Sequence, residues 1–353
     1  MLEIYAGDSA LKTIQEKGFS AELFSSFLGA SGGPKWFTLY GLDKYIFGEF
    51  FNNHQQHLNL IGSSVGAFRT ACFTQKDPVA AINRLATHYC YTKYTHKAKP
   101  QDISTEAMAM MAAIFGDSGE DEIVSNRYFK AHFIVAKCKG LVASDNKLLQ
   151  GMGLLKSYVN NRISRRLLKS QYERYIFQSV NSDLQLHDPY NISTTRQHVS
   201  KENIRNVLLA SGSIPMVMAG MKDIVNSPLG MYRDGGIVDY HFDFQIQNAG
   251  LTLYPHFSST LRAGWFDKSL SRKVTLAHYD RIVIVCPSQK FIQALPHHKI
   301  PDRTDFVTMQ PKQRITYWQQ VMAESEKLAE QFNDFYQKQN ISSIKKISQL
   351  LTS

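Results

Sequence analysis

Cysteine is scarce in this chain: four residues in 353, Cys72, Cys90, Cys138 and Cys286, scattered with no C-x-x-C pair. That excludes a disulfide framework and a cysteine zinc site. Long apolar runs are missing as well, and no stretch approaches the ~20 residues of a membrane-spanning helix. The opening residues Met1-Leu2-Glu3-Ile4-Tyr5-Ala6-Gly7-Asp8 carry an early acid and no apolar h-region. No signal peptide is expected, and the cytoplasm is the default location. Internal repeats are absent. The single histidine pair at ligand spacing, His54-Gln55-Gln56-His57, lacks the intervening Glu of a zinc hydrolase and follows a loop-like Asn52-Asn53. Neither a metal nor any other cofactor is expected.

Acid is in short supply too, with 30 Asp and Glu against 40 Lys and Arg, a net charge of +10. Such a surface favours anionic partners. Nothing in the chain resembles a nucleic-acid module, and the charge is spread along it, so nucleic acid is not expected. The densest basic stretch runs from Leu154 to Ile176, where Lys156, Arg162, Arg165, Arg166, Lys169 and Arg174 face one acid, Glu173. Apolar residues Leu155, Tyr158, Val159, Ile163, Leu167, Tyr172 and Ile176 recur through it at helical spacing. The ordinary reading is a helix packed on the domain with a solvated basic face. The functional alternative is a basic amphipathic helix making peripheral contact with an anionic membrane surface.

What the chain does have is glycine at particular places. Gly62-Ser63-Ser64-Val65-Gly66 follows the apolar run Leu58-Asn59-Leu60-Ile61 and precedes the helix-compatible Ala67-Phe68-Arg69-Thr70-Ala71-Cys72-Phe73. Strand, sharp turn and helix around G-x-S-x-G read as a nucleophile elbow with Ser64 at its apex. Upstream, Phe27-Leu28-Gly29-Ala30-Ser31-Gly32-Gly33-Pro34-Lys35-Trp36-Phe37 offers backbone N–H groups of the kind that form an oxyanion hole. Pro34 has no N–H, so Gly32, Gly33 and Lys35 are the candidate donors. A phosphate-binding Walker loop needs Ser or Thr after its Lys, and Lys35 is followed by Trp36. Downstream, Asp234-Gly235-Gly236 places a carboxylate on a tight turn, where it can serve Ser64 as general base.

Taken in order, Gly32-Gly33, Gly62-Ser63-Ser64-Val65-Gly66, Ala210-Ser211-Gly212-Ser213-Ile214-Pro215 and Asp234-Gly235-Gly236 resemble the patatin-like phospholipases. The resemblance implies a Ser64–Asp234 catalytic dyad without histidine and an oxyanion hole around Gly32, Gly33 and Lys35. It further implies a lipid acyl-ester substrate. The Ala210–Pro215 segment is a landmark of the family rather than a catalytic part. The chain departs from the family pattern by reading Gly-Gly-Pro-Lys-Trp at the oxyanion loop, where a third glycine and then Arg or Lys followed by Gly is usual. After Asp234-Gly235-Gly236 it has Ile237-Val238-Asp239-Tyr240-His241, without the common Asn and Pro.

Two other readings stand beside this one. His241, His256, His278, His297 and His298 all follow Asp234, which is the chain order of a Ser-Asp-His triad. Pro34 and Trp36 suit a non-catalytic lipid- or membrane-binding protein that keeps the fold. Periodicity gives buried strands at Ala21–Leu28, Leu58–Ile61, Ala131–Ala136 and Arg281–Cys286, and helices at Gly33–Phe51, Pro78–Tyr91 and Ser104–Phe115. The alternation predicts an α/β fold, a mostly parallel central sheet flanked by helices in three α/β/α layers. Residues 1–305 are expected to form the patatin-like hydrolase domain, with an insertion over the core at about 141–200, and 306–353 a C-terminal helical arm.

Overall fold

Every residue of the strand Leu58–Ser63 is buried. Successive side chains of a strand point to opposite faces, so both faces of the sheet are covered here. In a computed structural model that describes residues 1–94 and 98–352, this strand sits at the centre of an eleven-stranded sheet. The longer strands are β1 (Leu2–Ala6), β2 (Phe24–Gly29), β3 (Leu58–Ser63), β4 (Phe129–Cys138) and β5 (Tyr172–Gln178). They continue with β6 (Thr194–His198), β7 (Met231–Asp234), β8 (Leu251–Pro255) and β9 (Ile282–Pro287). Their order is β1-β9-β8-β2-β3-β4-β5-β6, and from β9 to β4 all neighbours are parallel. The chain is thus an α/β protein with a mostly parallel central sheet flanked by helices. Antiparallel pairs in this sheet are β1 with β9, β4 with β5 and β7, and β7 with the short strand Met221–Lys222.

One feature of register positions the rest. β4 is long enough to pair with two strands along one edge. β3 takes its first half, ending at Ser63 opposite Ile134, and β7 takes its second half in the opposite direction, ending at Asp234 opposite Val135. Two chain ends therefore converge head to head on consecutive residues of β4, bringing the turn after Ser63 against the turn at Asp234.

Several boundaries differ from the sequence reading. β2 begins at Phe24 because Ala21–Leu23 forms a 3-10 turn. The segment expected as one helix from Gly33 to Phe51 changes character twice, from 3-10 (Gly33–Leu39) to α (Tyr40–Tyr45) to π (Ile46–Phe50). Helix Pro78–Tyr91 has the expected bounds, and the next helix starts earlier than expected, at Pro100, where proline suits the first turn. Residues 141–200 are not a covering insertion. They hold β5 and β6, both in the central sheet, and β5 is buried along nearly all its length. The tail is no free arm either. Helix Pro311–Lys338 buries Tyr317, Trp318, Val321, Leu328 and Phe332 in the main core, where Phe332 meets Phe19, Tyr45 and Phe50 edge-on. All four cysteines are buried and free.

Candidate active site

The G-x-S-x-G turn is built by backbone contact. Helix Val65–Phe73 crosses β2 so closely that a Cβ on Gly66 would lie 1.8 Å from the Gly29 carbonyl oxygen. A Cβ on Gly62 would lie 2.3 Å from Gly66 O. The approach forces the residue between strand and helix into a conformation that L-residues avoid, and Ser64 has φ 55° and ψ −126°. Ser31 braces the turn from upstream, its hydroxyl shared between Ser63 O and Ser63 Oγ, each at 3.1 Å.

Ser64 Oγ donates to Asp234 Oδ2 at 2.8 Å. The other carboxylate oxygen, Oδ1, accepts the Gly236 N–H at 2.7 Å, so the Asp-Gly-Gly turn fixes the orientation of the carboxyl plane. Both residues are buried. Burial pushes the Asp234 carboxyl above the usual carboxylate range, and the Arg303 charge, the Ser64 hydroxyl, the Gly236 amide and Lys268 pull it partly back. A carboxylate with a raised proton affinity, hydrogen-bonded to an alcohol, can take that alcohol's proton.

The Ala210–Pro215 segment holds both partners. Ser211 Oγ accepts the Ser64 N–H at 3.1 Å and donates to Ile134 O at 2.7 Å, while Ser213 O accepts the Asp234 N–H at 3.0 Å. This positioning role was not visible from the sequence, since serines in a Gly-rich stretch look like any turn.

The glycine loop stands beside Ser64. Gly33 has φ +57°, and a Cβ there would come within 2.8 Å of Arg303 Nε. The Ser31 N–H is bonded to Tyr240 O, and the Lys35 N–H reaches back 3.5 Å to Gly32 O. The Lys35 N–H is thus turned back on its own loop. Gly32 and Gly33 remain as the N–H groups the loop can offer, joined by Val65 in the unpaired first turn of the elbow helix. The Lys35 side chain instead pairs with Asp302 at 3.4 Å. Trp36 is fully buried with its ring tilted against Phe37, while Pro34 occupies the first helical turn.

The histidines lie elsewhere. His241 accepts the Arg262 N–H on Nδ1, His256 contacts Ser258 O, and their rings meet at 4.3 Å. Burial holds His241 well below its ordinary proton affinity and brings His256 down to about 3. His278 pairs with Asp243, and His297 packs on Tyr317. Among the described residues no histidine is hydrogen-bonded to Ser64 or Asp234. His54 is buried against Phe51 and Phe129, and the described residues contain no cluster of three or more His, Cys, Asp and Glu able to hold a metal ion.

A cavity of about 430 Å³ opens onto Ser64, within the usual ~300–1,000 Å³ of ligand sites. Its walls are mostly apolar, with Phe68, Ile103, Met110, Ile214, Met218 and Phe306 among them. Cations gather at the Ser64 end: Arg303 lines this cavity and, with Lys268, a narrow recess beside Asp234. The Lys268 stem is exposed, but its ammonium lies 4.1 Å from the Tyr240 ring centroid, and burial and the charges of Arg303 and Lys35 pull it down to about 8. Arg303 and Lys268 had no motif to announce them. A broader cleft of about 680 Å³ around Gln75, Asp77, Arg84 and Glu122 also holds a serine–carboxylate contact, Ser118 Oγ to Glu122 Oε1 at 2.6 Å, but that pair is exposed and sits on no strained turn.

No family model matches this chain, and no curated protein matches it. Among the described residues no helix is long and apolar enough to cross a membrane.

Proposed function

We propose that the protein is a serine acyl hydrolase of the patatin-like type, acting on lipid acyl esters through Ser64 and Asp234. The observation that carries this reading is the direct 2.8 Å hydrogen bond from Ser64 Oγ, on a strained elbow lining an apolar cavity, to the buried Asp234 carboxylate. Asp234 takes the Ser64 proton as Oγ attacks the acyl carbonyl carbon. The negative charge that develops on the carbonyl oxygen is met by the N–H groups of Gly32, Gly33 and Val65. Collapse expels the alcohol, which leaves with the proton from Asp234, and the acyl group stays on Ser64. A water, deprotonated by Asp234, then attacks the acyl-enzyme. The fatty acid departs and the proton returns to Ser64.

The apolar walls suit an acyl chain, whose burial is worth ~0.8 kcal/mol for each CH₂. Arg303 and Lys268 at the Ser64 end suit an anionic group near the ester. A histidine-assisted variant of the chemistry finds no support, since His241 and His256 are buried in contact with each other. The test is labelling with a fluorophosphonate probe followed by peptide mass spectrometry. The adduct is expected on Ser64 and lost in Ser64→Ala. An adduct on Ser63, or ester hydrolysis without any adduct, would overturn the assignment.

A further inference from the structure

The basic stretch singled out in the sequence is not one helix. Helix Lys147–Ile163 ends at Ser164, a 3-10 turn follows over Arg165–Ser170, and β5 begins at Tyr172. Two of its six cations are internal: Arg165 pairs with Asp267, and Arg174 grips Asp239 with two nitrogens. That leaves Lys156, Arg162, Arg166 and Lys169 exposed.

The helix is attached to the protein inside out. Its buried positions are Gln150, Gly153, Ser157 and Asn161, polar or small, and their polar groups are satisfied. Gln150 accepts the Met216 N–H at 2.7 Å, Ser157 meets Tyr172 OH at 2.8 Å, and Asn161 donates to Asp267 at 2.7 Å. The outward face carries Leu148, Met152, Leu155, Val159 and Ile163, one above another at helical spacing, with Leu155 64% and Ile163 71% exposed. Lys156 and Arg162 flank the stripe on either side. No acid occurs between Asn146 and Tyr172. A contiguous apolar face of this kind marks an interaction surface.

We propose that this face docks the protein on an anionic lipid surface, the five apolar side chains entering the acyl boundary and the four exposed cations meeting the headgroups. Charge complementarity selects this occupant. Two-fold pairing of this face with a second copy would bring the flanking cations Lys156 and Arg162 of the two copies together, with no acid on the face to offset them. Anionic lipid supplies both the apolar interior and the opposite charge. On its inner side the helix is tied to the neighbourhood of the cavity: Gln150 bonds Met216, and the adjacent Val217 lines the cavity together with Val307, which is 81% exposed. The docking stands apart from the acyl-hydrolase reading, because it needs no turnover.

The test is co-sedimentation of the full chain carrying Ser64→Ala with phosphatidylcholine vesicles, with and without phosphatidylserine. Binding is expected only with phosphatidylserine, weakening as salt rises and falling about fivefold for each of Lys156, Arg162, Arg166 and Lys169 changed to Gln. Leu155→Ser with Ile163→Ser should lower binding at least about tenfold. In an otherwise wild-type chain the same pair should leave hydrolysis of a soluble short-chain ester unchanged. Absence of binding to phosphatidylserine vesicles at low salt, or undiminished binding by the serine pair, would overturn the proposal. So would a dimer in sedimentation equilibrium that the serine pair converts to monomer.

Discussion

Replacing Asp234 with Asn should move activity and stability in opposite directions. The Gly236 N–H points at Oδ1, so the amide oxygen of Asn must take that side, which turns its NH₂ towards Ser64 Oγ. Ser64 then becomes an acceptor in this contact and has no base for its proton. Loss of a general base costs ~10²–10⁴ in rate, or about 3–5 kcal/mol of transition-state stabilisation. If Ser64 and Asp234 act as a unit, as proposed, Ser64→Ala with Asp234→Asn should be no slower than either single change. Stability follows from the direction of the carboxyl's shift. Burial raises its proton affinity above the unfolded value, so the folded state holds the proton more tightly. Folding is then favoured below the unfolded Asp range and loses that advantage as pH rises through the folded value. At pH 8 the wild type carries a buried, incompletely compensated charge that Asn removes, and Asp234→Asn should melt higher. At pH 4 the difference should shrink as the wild-type carboxyl takes up its proton. Thermal melts at both pH values and ester turnover at pH 8 decide the matter. An Asp234→Asn variant with wild-type kcat, or one that melts lower at pH 8 than at pH 4 relative to wild type, would refute the reasoning.

Two further changes probe the frame that holds the elbow. Arg69 on the elbow helix and Asp43 are both fully buried and joined by two hydrogen bonds of 2.8 and 2.6 Å, so Asp43→Leu should cost about 3–5 kcal/mol in urea unfolding, while Asp43→Leu with Arg69→Met recovers most of it. Gly66→Ala sets a methyl against the Gly29 backbone, which has no side chain to swing away, and a loss above ~3 kcal/mol or failure to fold is expected; a stably folded, active Gly66→Ala chain would show that strand and helix can separate.

Much of the sheet was legible because its central strands are buried on both faces and read as largely apolar runs ended by glycine or proline. Leu58–Ser63 and Ile282–Pro287 are of that kind. β5 and β6 were hidden. Tyr172-Glu173-Arg174-Tyr175-Ile176-Phe177-Gln178 carries two charges, and only the structure shows Arg174 neutralised by Asp239 and Asp188. A charged residue argues for surface unless its partner is known, and here one partner lies 65 residues away. The tail misled for a related reason. Helix Pro311–Lys338 is rich in Lys, Gln and Glu on its outer face, which masks the stripe of Tyr317, Val321, Leu328 and Phe332 that it turns inward.

Motifs located Ser64, Asp234 and the glycine loop because strained turns restrict which residues can occupy them, and that restriction is written locally. The residues that hold those groups obey no such restriction. Ser211 and Ser213 act through one hydroxyl and one carbonyl, and a carbonyl leaves no mark in the sequence. Arg303 reaches the site only because the chain returns after β9, so its proximity to Gly33 is a property of topology alone. Helix Lys147–Ile163 shows the limit most clearly. Periodicity reports that apolar residues share a face but not which way that face points, and the default is inward. Here the small and polar positions Gly153, Ser157 and Asn161 fit the wall of the protein by hydrogen bonds and close approach, a Cβ on Gly153 being 2.7 Å from Val142 N. The apolar positions are left outside by exclusion. A helix that satisfies its polar side against its own protein and exposes its apolar side forgoes burial that a stable fold would otherwise use, and it does so beside the cavity that opens onto Ser64.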